Sequence, residues 1–332
     1  MAINVNKNLR KTCWSPWLLS LLFALLVFTP LIAKEHVLCI HPEGETFENV
    51  IKGLTEGLDK EIIINDLIIN NTTTKKELHH KISQTPIKAI ILMDNKAIRL
   101  FKKYQNSLPD TATIIPSIAL MGVWIERAIN GIKNCRGIAY EVPLVTSAVH
   151  LRTILNQPIT KIGVVYREIM KDFIDINAKY CLPEKISVAT YPLTDKQSSK
   201  HWKIKNAIKH LIKSNKIDAL WVLNDSKLLK PELLRDVWMP IVSKYKIPVI
   251  VGVEVLASPN FNFGTFAVIP DHIALGNQLA ETLFEIRDNS WKIGKEITDP
   301  PISVLNILNQ VQAEKFFQVE VKNLVNVDKL LK

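Results

Sequence analysis

Short apolar runs alternate along this chain with longer stretches in which apolar residues return every three or four positions. His36–Ile40, Ile62–Ile69, Ile87–Met93 and Ile114–Met121 are rich in Ile, Leu and Val on both alternating positions. That pattern predicts strands covered on both faces. Between them, Phe47–Leu58, Lys75–Ser83 and Lys96–Asn106 show helical spacing. The first of these helices has Phe47, Val50, Ile51, Leu54 and Leu58 on one face, and Thr46 stands where a cap is wanted. A second series follows Pro143, a residue suited to a helix start because its missing N–H has no partner there anyway. It predicts the helix Leu144–Leu155, the strand Ile162–Tyr166, a helix over Glu168–Tyr180, the strand Ile186–Tyr191 and the helix His201–Lys213. Next come the strand Asp218–Leu223, a helix from Pro231 to Tyr245, the strands Ile247–Gly252 and Phe263–Ile269, and the helix Ile273–Ile286. Beyond Pro300 and Pro301 the pattern predicts a strand, Ser303–Leu308, and a helix near Gln312–Val319.

Strands alternating with helices imply parallel sheets with helices on their faces. The expected fold is α/β, with two Rossmann-like lobes joined by a multi-strand hinge. The stretch 135–155 is the crossing, with Ile138–Val142 expected as an extended strand that carries Tyr140 and Glu141. In such sheets ligands bind beyond the carboxyl ends of the strands. The loops so placed are His41–Thr46, Asp94-Asn95, Met121-Gly122, Asn224–Ser226 and Gly252–Glu254. Candidate ligand-binding residues are therefore His41, Thr46, Asp94, Asn95, Met121, Tyr140, Glu141, Asn224, Asp225, Glu254 and Asp271. Asp225 suits either a ligand ammonium, held by a charge-assisted hydrogen bond, or a helix cap. Asp271 precedes a helix, where capping is the simpler role. Glu254 suits a ligand contact or a hinge ion pair. Tyr140 suits stacking on a ligand ring or packing against a lobe, and Trp124 suits a wall of the cleft or, more simply, the core.

The chain has 332 residues, 47% of them hydrophobic, enough for two ordinary domains. Its formal charge is +10; residues 1–33 hold three bases (Lys7, Arg10, Lys11) and no acid, leaving +7 for the rest. The lysines are scattered, without a basic-aromatic stripe, so no nucleic-acid partner is expected. A basic start, the apolar run Trp17–Phe28 and a small residue at Ala33 read as a secretory signal over 1–33, with retention as a membrane anchor the alternative. Export implies an oxidising compartment. The remaining cysteines are Cys39, expected as a core residue, and Cys135 and Cys181, whose pairing no spacing rule decides. No Cys/His spacing resembles a metal site, so neither metal nor cofactor is expected. There is no Gly-x-Ser-x-Gly elbow, P-loop or dinucleotide fingerprint, and no catalytic residue is expected.

One ordered set of stretches is more specific. It comprises His41-Pro42, Gly137–Pro143 (GIAYEVP), Lys161–Tyr166 (KIGVVY), Asp218–Asp225 (DALWVLND), Lys244–Ile250 (KYKIPVI) and Pro270–Gly276 (PDHIALG). Together they resemble the substrate-binding proteins of ABC-type transporters with the type I periplasmic-binding fold. Within these they resemble the family that includes bacterial tryptophan- and aromatic-amino-acid-binding proteins. The resemblance implies a non-enzymatic, monomeric periplasmic receptor that closes on a small amino-acid-like solute and delivers it to a membrane permease. It implies one lobe from 34–138 and 253–290 and another from 139–252 and 291–332, and it favours the ligand role for Asp225. The chain departs from the family at Asp94, where relatives have a small neutral turn, and in the apolar loop before Trp124. A sensor or interaction domain of the same fold, anchored and no longer serving transport, is the alternative that these departures motivate.

Overall fold

The computed structural model describes residues 34–332 except 262, 295–296 and 318. The signal expected over 1–33 lies outside the described residues. Among the described residues no helix is long and apolar enough to cross a membrane.

The first sheet is built from β1 (Glu35–Pro42), β2 (Ile62–Ile69), β3 (Ile87–Met93), β4 (Ser117–Leu120) and β5 (Cys135–Ile138). The intervening helices are α1 (Glu45–Gly57), α2 (Lys75–Ser83), α3 (Asp94–Gln105) and the short α4 (Ile125–Ile129). The second lobe begins with α5 (Leu144–Leu155), β6 (Lys161–Arg167) and α6 (Lys171–Cys181), the last preceded by a 3-10 turn, Glu168–Met170. It continues through β7 (Ser187–Leu193), α7 (His201–Lys213) and β8 (Ala219–Val222). A helical run follows, whose pieces are Pro231–Leu233, a π-helical turn Leu234–Trp238 and Met239–Tyr245; we label it α8. Then come β9 (Val249–Val251), α9 (Glu254–Ala257), β10 (Phe266–Pro270), α10 (His272–Asp288), β11 (Thr298–Asp299), β12 (Val304–Asn309), α11 (Gln310–Phe316) and β13 (Lys329–Leu331).

The sheet orders are β11-β5-β4-β3-β1-β2 and β13-β12-β10-β9-β8-β6-β7. All pairings are parallel except β10 with β12. Each sheet has an apolar layer on both faces, as its unbroken hydrophobic strands require. This is the expected two-lobed α/β architecture.

The differences from expectation have local causes. β4 starts at Ser117 rather than Ile114 and β9 at Val249 rather than Ile247, because Pro116 and Pro248 have no N–H for the ladder. Both prolines still accept through their carbonyls, from Ile90 at 2.9 Å and Leu220 at 2.9 Å. α1 starts at Glu45 with Gly44 as its cap, so Thr46 lies inside the helix and caps nothing. α3 starts at Asp94, two residues before the expected Lys96. The crossing strand expected at Ile138–Val142 is instead β5, which ends at Ile138; Tyr140 and Glu141 lie on the irregular segment that leaves the sheet.

The chain passes between the lobes three times: after β5, between β10 and α10, and between β11 and β12. The expected return to the first lobe at 253 is too early, since α9 and β10 belong with the second sheet; α10 makes the return by packing on α1. The expected exit at 290 is also early, because β11 pairs with β5. Two glycines allow α1 and α10 to touch backbone to backbone. A Cβ on Gly53 would lie 2.1 Å from the Ile273 carbonyl oxygen, and one on Gly276 would lie 2.2 Å from that of Val50. Cys135 and Cys181 sit in different lobes and do not bridge each other.

Candidate functional site

The segments that follow β4 and β5 in the first lobe and β6 in the second, with the end of β11, line one cavity of about 900 Å³. From the first lobe it is lined by the segment after β4, including Trp124 and Arg127, and from the crossings by Glu141, Pro143, Thr298 and Pro300. From the second lobe it is lined by the turn and helix after β6, including Ile169, Phe173 and Tyr180. Aromatic rings bridge the lobes here. Trp124 meets Phe173 edge to face, with centroids 4.6 Å apart at 89°, and Phe173 rests on Trp221 at 5.8 Å. Such pairs add to the apolar burial of their rings.

Local backbone aims Trp124. Met121 and Trp124 both have left-handed φ, 56° and 57°, around Gly122. A side chain on Gly122 would put its Cβ 2.9 Å from the Asn95 amide oxygen. Asn95 donates to the Val123 carbonyl at 3.2 Å, and its own side-chain oxygen is buried without a hydrogen-bond partner. The Trp124 N–H donates to Glu141 Oε1 at 2.7 Å, which ties the loop to the crossing. Burial pushes the Glu141 carboxyl above its ordinary pKa, and the Trp124 N–H pulls back only in part.

Tyr140 and His272 join two of the crossings. The Tyr140 hydroxyl and His272 Nε2 are 3.0 Å apart, with rings stacked at 16°. Burial, then the charges of Glu141 and Glu254, push the Tyr140 hydroxyl up to about 12, so it stays protonated and donates. Burial holds His272 below its ordinary pKa, against the opposing pull of Asp271 and Glu254. The unfolded chain therefore binds this proton more readily than the folded one. Stability from this group is full above the unfolded value of about 6.5 and falls as pH drops through it toward the lower folded value. Urea midpoints measured across that window should fall with acid, and the His272→Gln variant should show a flatter dependence.

The remaining candidates are mostly committed to the scaffold. Asp225 is buried and uses both oxygens: Oδ2 accepts from Arg167 Nε at 2.6 Å and Oδ1 from the Lys227 N–H at 2.9 Å. Its carboxylate is thus neutralised by an arginine that the pattern of the chain did not single out, which displaces the ammonium role expected for it. Arg167 also holds the exposed Asp195 at 2.9 Å and depresses its pKa. Asp271 caps α10, accepting from Ile273 and Ala274 at 2.9 and 3.2 Å. Glu254 pairs with Lys329 at 2.7 Å. Asn224 donates to the Gly252 carbonyl at 3.3 Å, and its oxygen is buried without a hydrogen-bond partner. Asp94 has a left-handed φ of 80° and accepts from the Lys96 N–H at 2.6 Å. It thereby occupies the α3 N-terminus that an anion would otherwise use. Thr46 is exposed on α1. His41 is buried, with its ring facing Asp66 on β2 and Phe47 on α1. Of the candidates, only Glu141 lines the cavity. Phe173 and Arg127, which line it too, were not among them.

No protein-family model and no curated protein matches the sequence. Solved structures do match in fold. A ligand-free, open substrate-binding protein with adhesive properties from Clostridium difficile superposes with a TM-score of 0.64 at 15% identity, covering 90% of this chain and 100% of that one. The type I periplasmic-binding fold is the fold of this chain. An ABC domain from Streptococcus pneumoniae in complex with L-Trp matches with a TM-score of 0.53 at 13% identity, again over 90% of this chain and 100% of that one. A conserved domain protein from Vibrio cholerae matches with the same score, identity and coverage. In this fold the cavity that Trp124 and Phe173 help to line lies beyond the carboxyl ends of β4, β5 and β6, and open α/β sheets hold ligands beyond strand ends.

Proposed function

We propose that this chain is the exported, non-enzymatic solute receptor of an ABC-type importer, and that its solute is amino-acid-like with an aromatic or apolar side chain. The observation that carries this is the cavity of about 900 Å³, whose lining includes the Trp124–Phe173 aromatic pair. Its size is that of a small-molecule site. Four charged groups share its lining, the acids Glu126, Glu141 and Asp172 and the base Arg127. Glu141 suits an ammonium and Arg127 a carboxylate, so a zwitterion satisfies both. The L-Trp carried by the Streptococcus pneumoniae domain fits the same chemistry.

A thermal-shift series tests this. L-Trp, L-Phe and L-Tyr are compared with tryptamine, which lacks the carboxylate, and indole-3-acetate, which lacks the ammonium. A ligand present at a hundredfold its Kd stabilises by about 2.7 kcal/mol through mass action. We expect the largest shift from an intact aromatic amino acid, smaller shifts from the two truncated compounds, and loss of the shift in Phe173→Ala. Absence of a shift with all five, or turnover of any of them, overturns the reading.

A further inference from the structure

On the helix-covered face of the first sheet, away from the aromatic cavity, three metal-ligating side chains converge. Cys39 and His41 are two apart on β1 and so leave the same face. The β1–β2 register sets Asp66 beside Cys39. One ligand atom from each, the Cys39 sulfur, a His41 ring nitrogen and an Asp66 carboxylate oxygen, all lie within 4.8 Å of one another. Cys39 and His41 are buried, whereas the Asp66 side chain is 47% exposed and leaves a way in from solvent.

The state of the imidazole is what makes this cluster a site. His41 Nδ1 is 2.8 Å from the Pro42 carbonyl oxygen, which only accepts, so Nδ1 carries the hydrogen. In the neutral ring that leaves a lone pair on Nε2. Nε2 is buried with no hydrogen-bond partner, and it faces Asp66 Oδ1 at 3.7 Å, another acceptor. A ring nitrogen, a carboxylate and a thiol pointing at one spot can share a cation, either a proton on Nε2 paired with Asp66 or a metal ion. A backbone carbonyl holding the far nitrogen is also the usual support of a metal-bound histidine.

We propose that Cys39, His41 and Asp66 bind one zinc-like divalent transition-metal ion. The donor set decides the class of ion: thiolate and imidazole favour zinc and its neighbours, where calcium and magnesium take oxygen alone. Tetrahedral zinc with ligand bonds of about 2.0–2.3 Å holds its donors roughly 3.3–3.6 Å apart. The 3.7 Å between His41 and Asp66 needs only a small inward movement to reach that. The fourth position falls to water. On binding, the Cys39 thiol releases its proton to solvent and the sulfur electron pair forms the metal bond. The ion would fasten the edge strand β2 to β1, beside α1.

Cobalt(II) titration of the intact full-length protein tests this, read by the sulfur-to-cobalt charge-transfer absorption and the visible bands of tetrahedral cobalt. We expect saturation at one equivalent and displacement by zinc. The spectrum should survive in a Cys13→Ala, Cys135→Ala, Cys181→Ala triple variant and vanish in Cys39→Ser. Asp66→Asn alters an exposed side chain, so it leaves the fold intact; it should weaken binding at least about tenfold, the loss that even outer-shell changes cause. An absent charge-transfer band, its persistence in Cys39→Ser, or unchanged affinity in Asp66→Asn overturns the proposal. In that event the cluster is an imidazolium–carboxylate pair beside a core thiol.

Discussion

Replacing Asp225 with alanine should cost about 3 kcal/mol of stability, because it leaves the Arg167 guanidinium buried without its closest counter-ion. The two side chains are 1% and 13% exposed, and their contact is 2.6 Å. Asp225 also accepts from the Lys227 N–H and turns the chain after β8, where its carbonyl takes the N–H groups of Leu228 and Leu229. Asp195 keeps one hold on Arg167, but that carboxylate is 61% exposed and solvent weakens it. The expected result is therefore at the lower end of what a broken buried pair costs. In a chain of this size the loss corresponds to a melting point lower by very roughly 6–10 °C, with the urea m-value unchanged. An apolar double replacement, Arg167→Met with Asp225→Leu, should recover part of it, because no uncompensated charge remains. A melting point within about 1 °C of wild type in Asp225→Ala would show that the pair is not buried in solution.

The second large effect is expected at the helix contact between α1 and α10. Gly276→Ala would place a methyl group 2.2 Å from the Val50 carbonyl oxygen and 2.5 Å from the Leu54 nitrogen. Both atoms are backbone of a packed helix, so no rotamer change relieves the clash and the helices must separate. Overpacking of this kind costs about 3 kcal/mol, and separation would also loosen the apolar layer that Leu275, Leu279 and Leu283 share with Val50 and Leu54. Gly53→Ala meets the Ile273 carbonyl at 2.1 Å and should cost about as much. Since both variants open the same gap, the double variant should lose less than the sum. Urea midpoints of the three variants test this; an unchanged midpoint in Gly276→Ala would show that the helices do not touch there.

The strands that could be read to the residue are those whose periodicity is unbroken and whose apolar run contains no proline. Ile62–Ile69 and Ile87–Met93 are of this kind, as are the helices Lys75–Ser83, Leu144–Leu155 and His201–Lys213. β4 and β9 begin later than their apolar runs because a proline interrupts the hydrogen bonding while leaving the hydropathy untouched. α4, β11 and β13 are too short for any period to show.

The candidate site was barely legible: none of the strand-end loops read from the sequence lines the cavity, and of the candidate residues only Glu141 does. Polar residues at those ends were the natural candidates, yet Asp225, Glu254 and Asp271 are engaged by Arg167, by Lys329 and by backbone N–H groups. Those partners are set by tertiary pairing, which local spacing does not encode. Phe173 follows β6 by half a helix turn more than a strand-end rule reaches, and nothing local marks it. The proposed metal cluster was not legible from spacing for a related reason. Cys39 and His41 are close in the chain, but Asp66 joins them only through the alignment of two neighbouring strands.

The threefold passage between lobes has a consequence for the order in which the molecule can be made. The apolar layer that includes Val37, Val50 and Ile91 is completed by residues from α10, a helix that leaves the ribosome after nearly the whole second sheet. The amino-terminal lobe therefore emerges first and can bury one of its two apolar layers, but this layer stays open until the chain has been synthesised to about Asp288. Until then its uncovered face is what a chaperone or an export factor would meet, and the two lobes mature together rather than in turn.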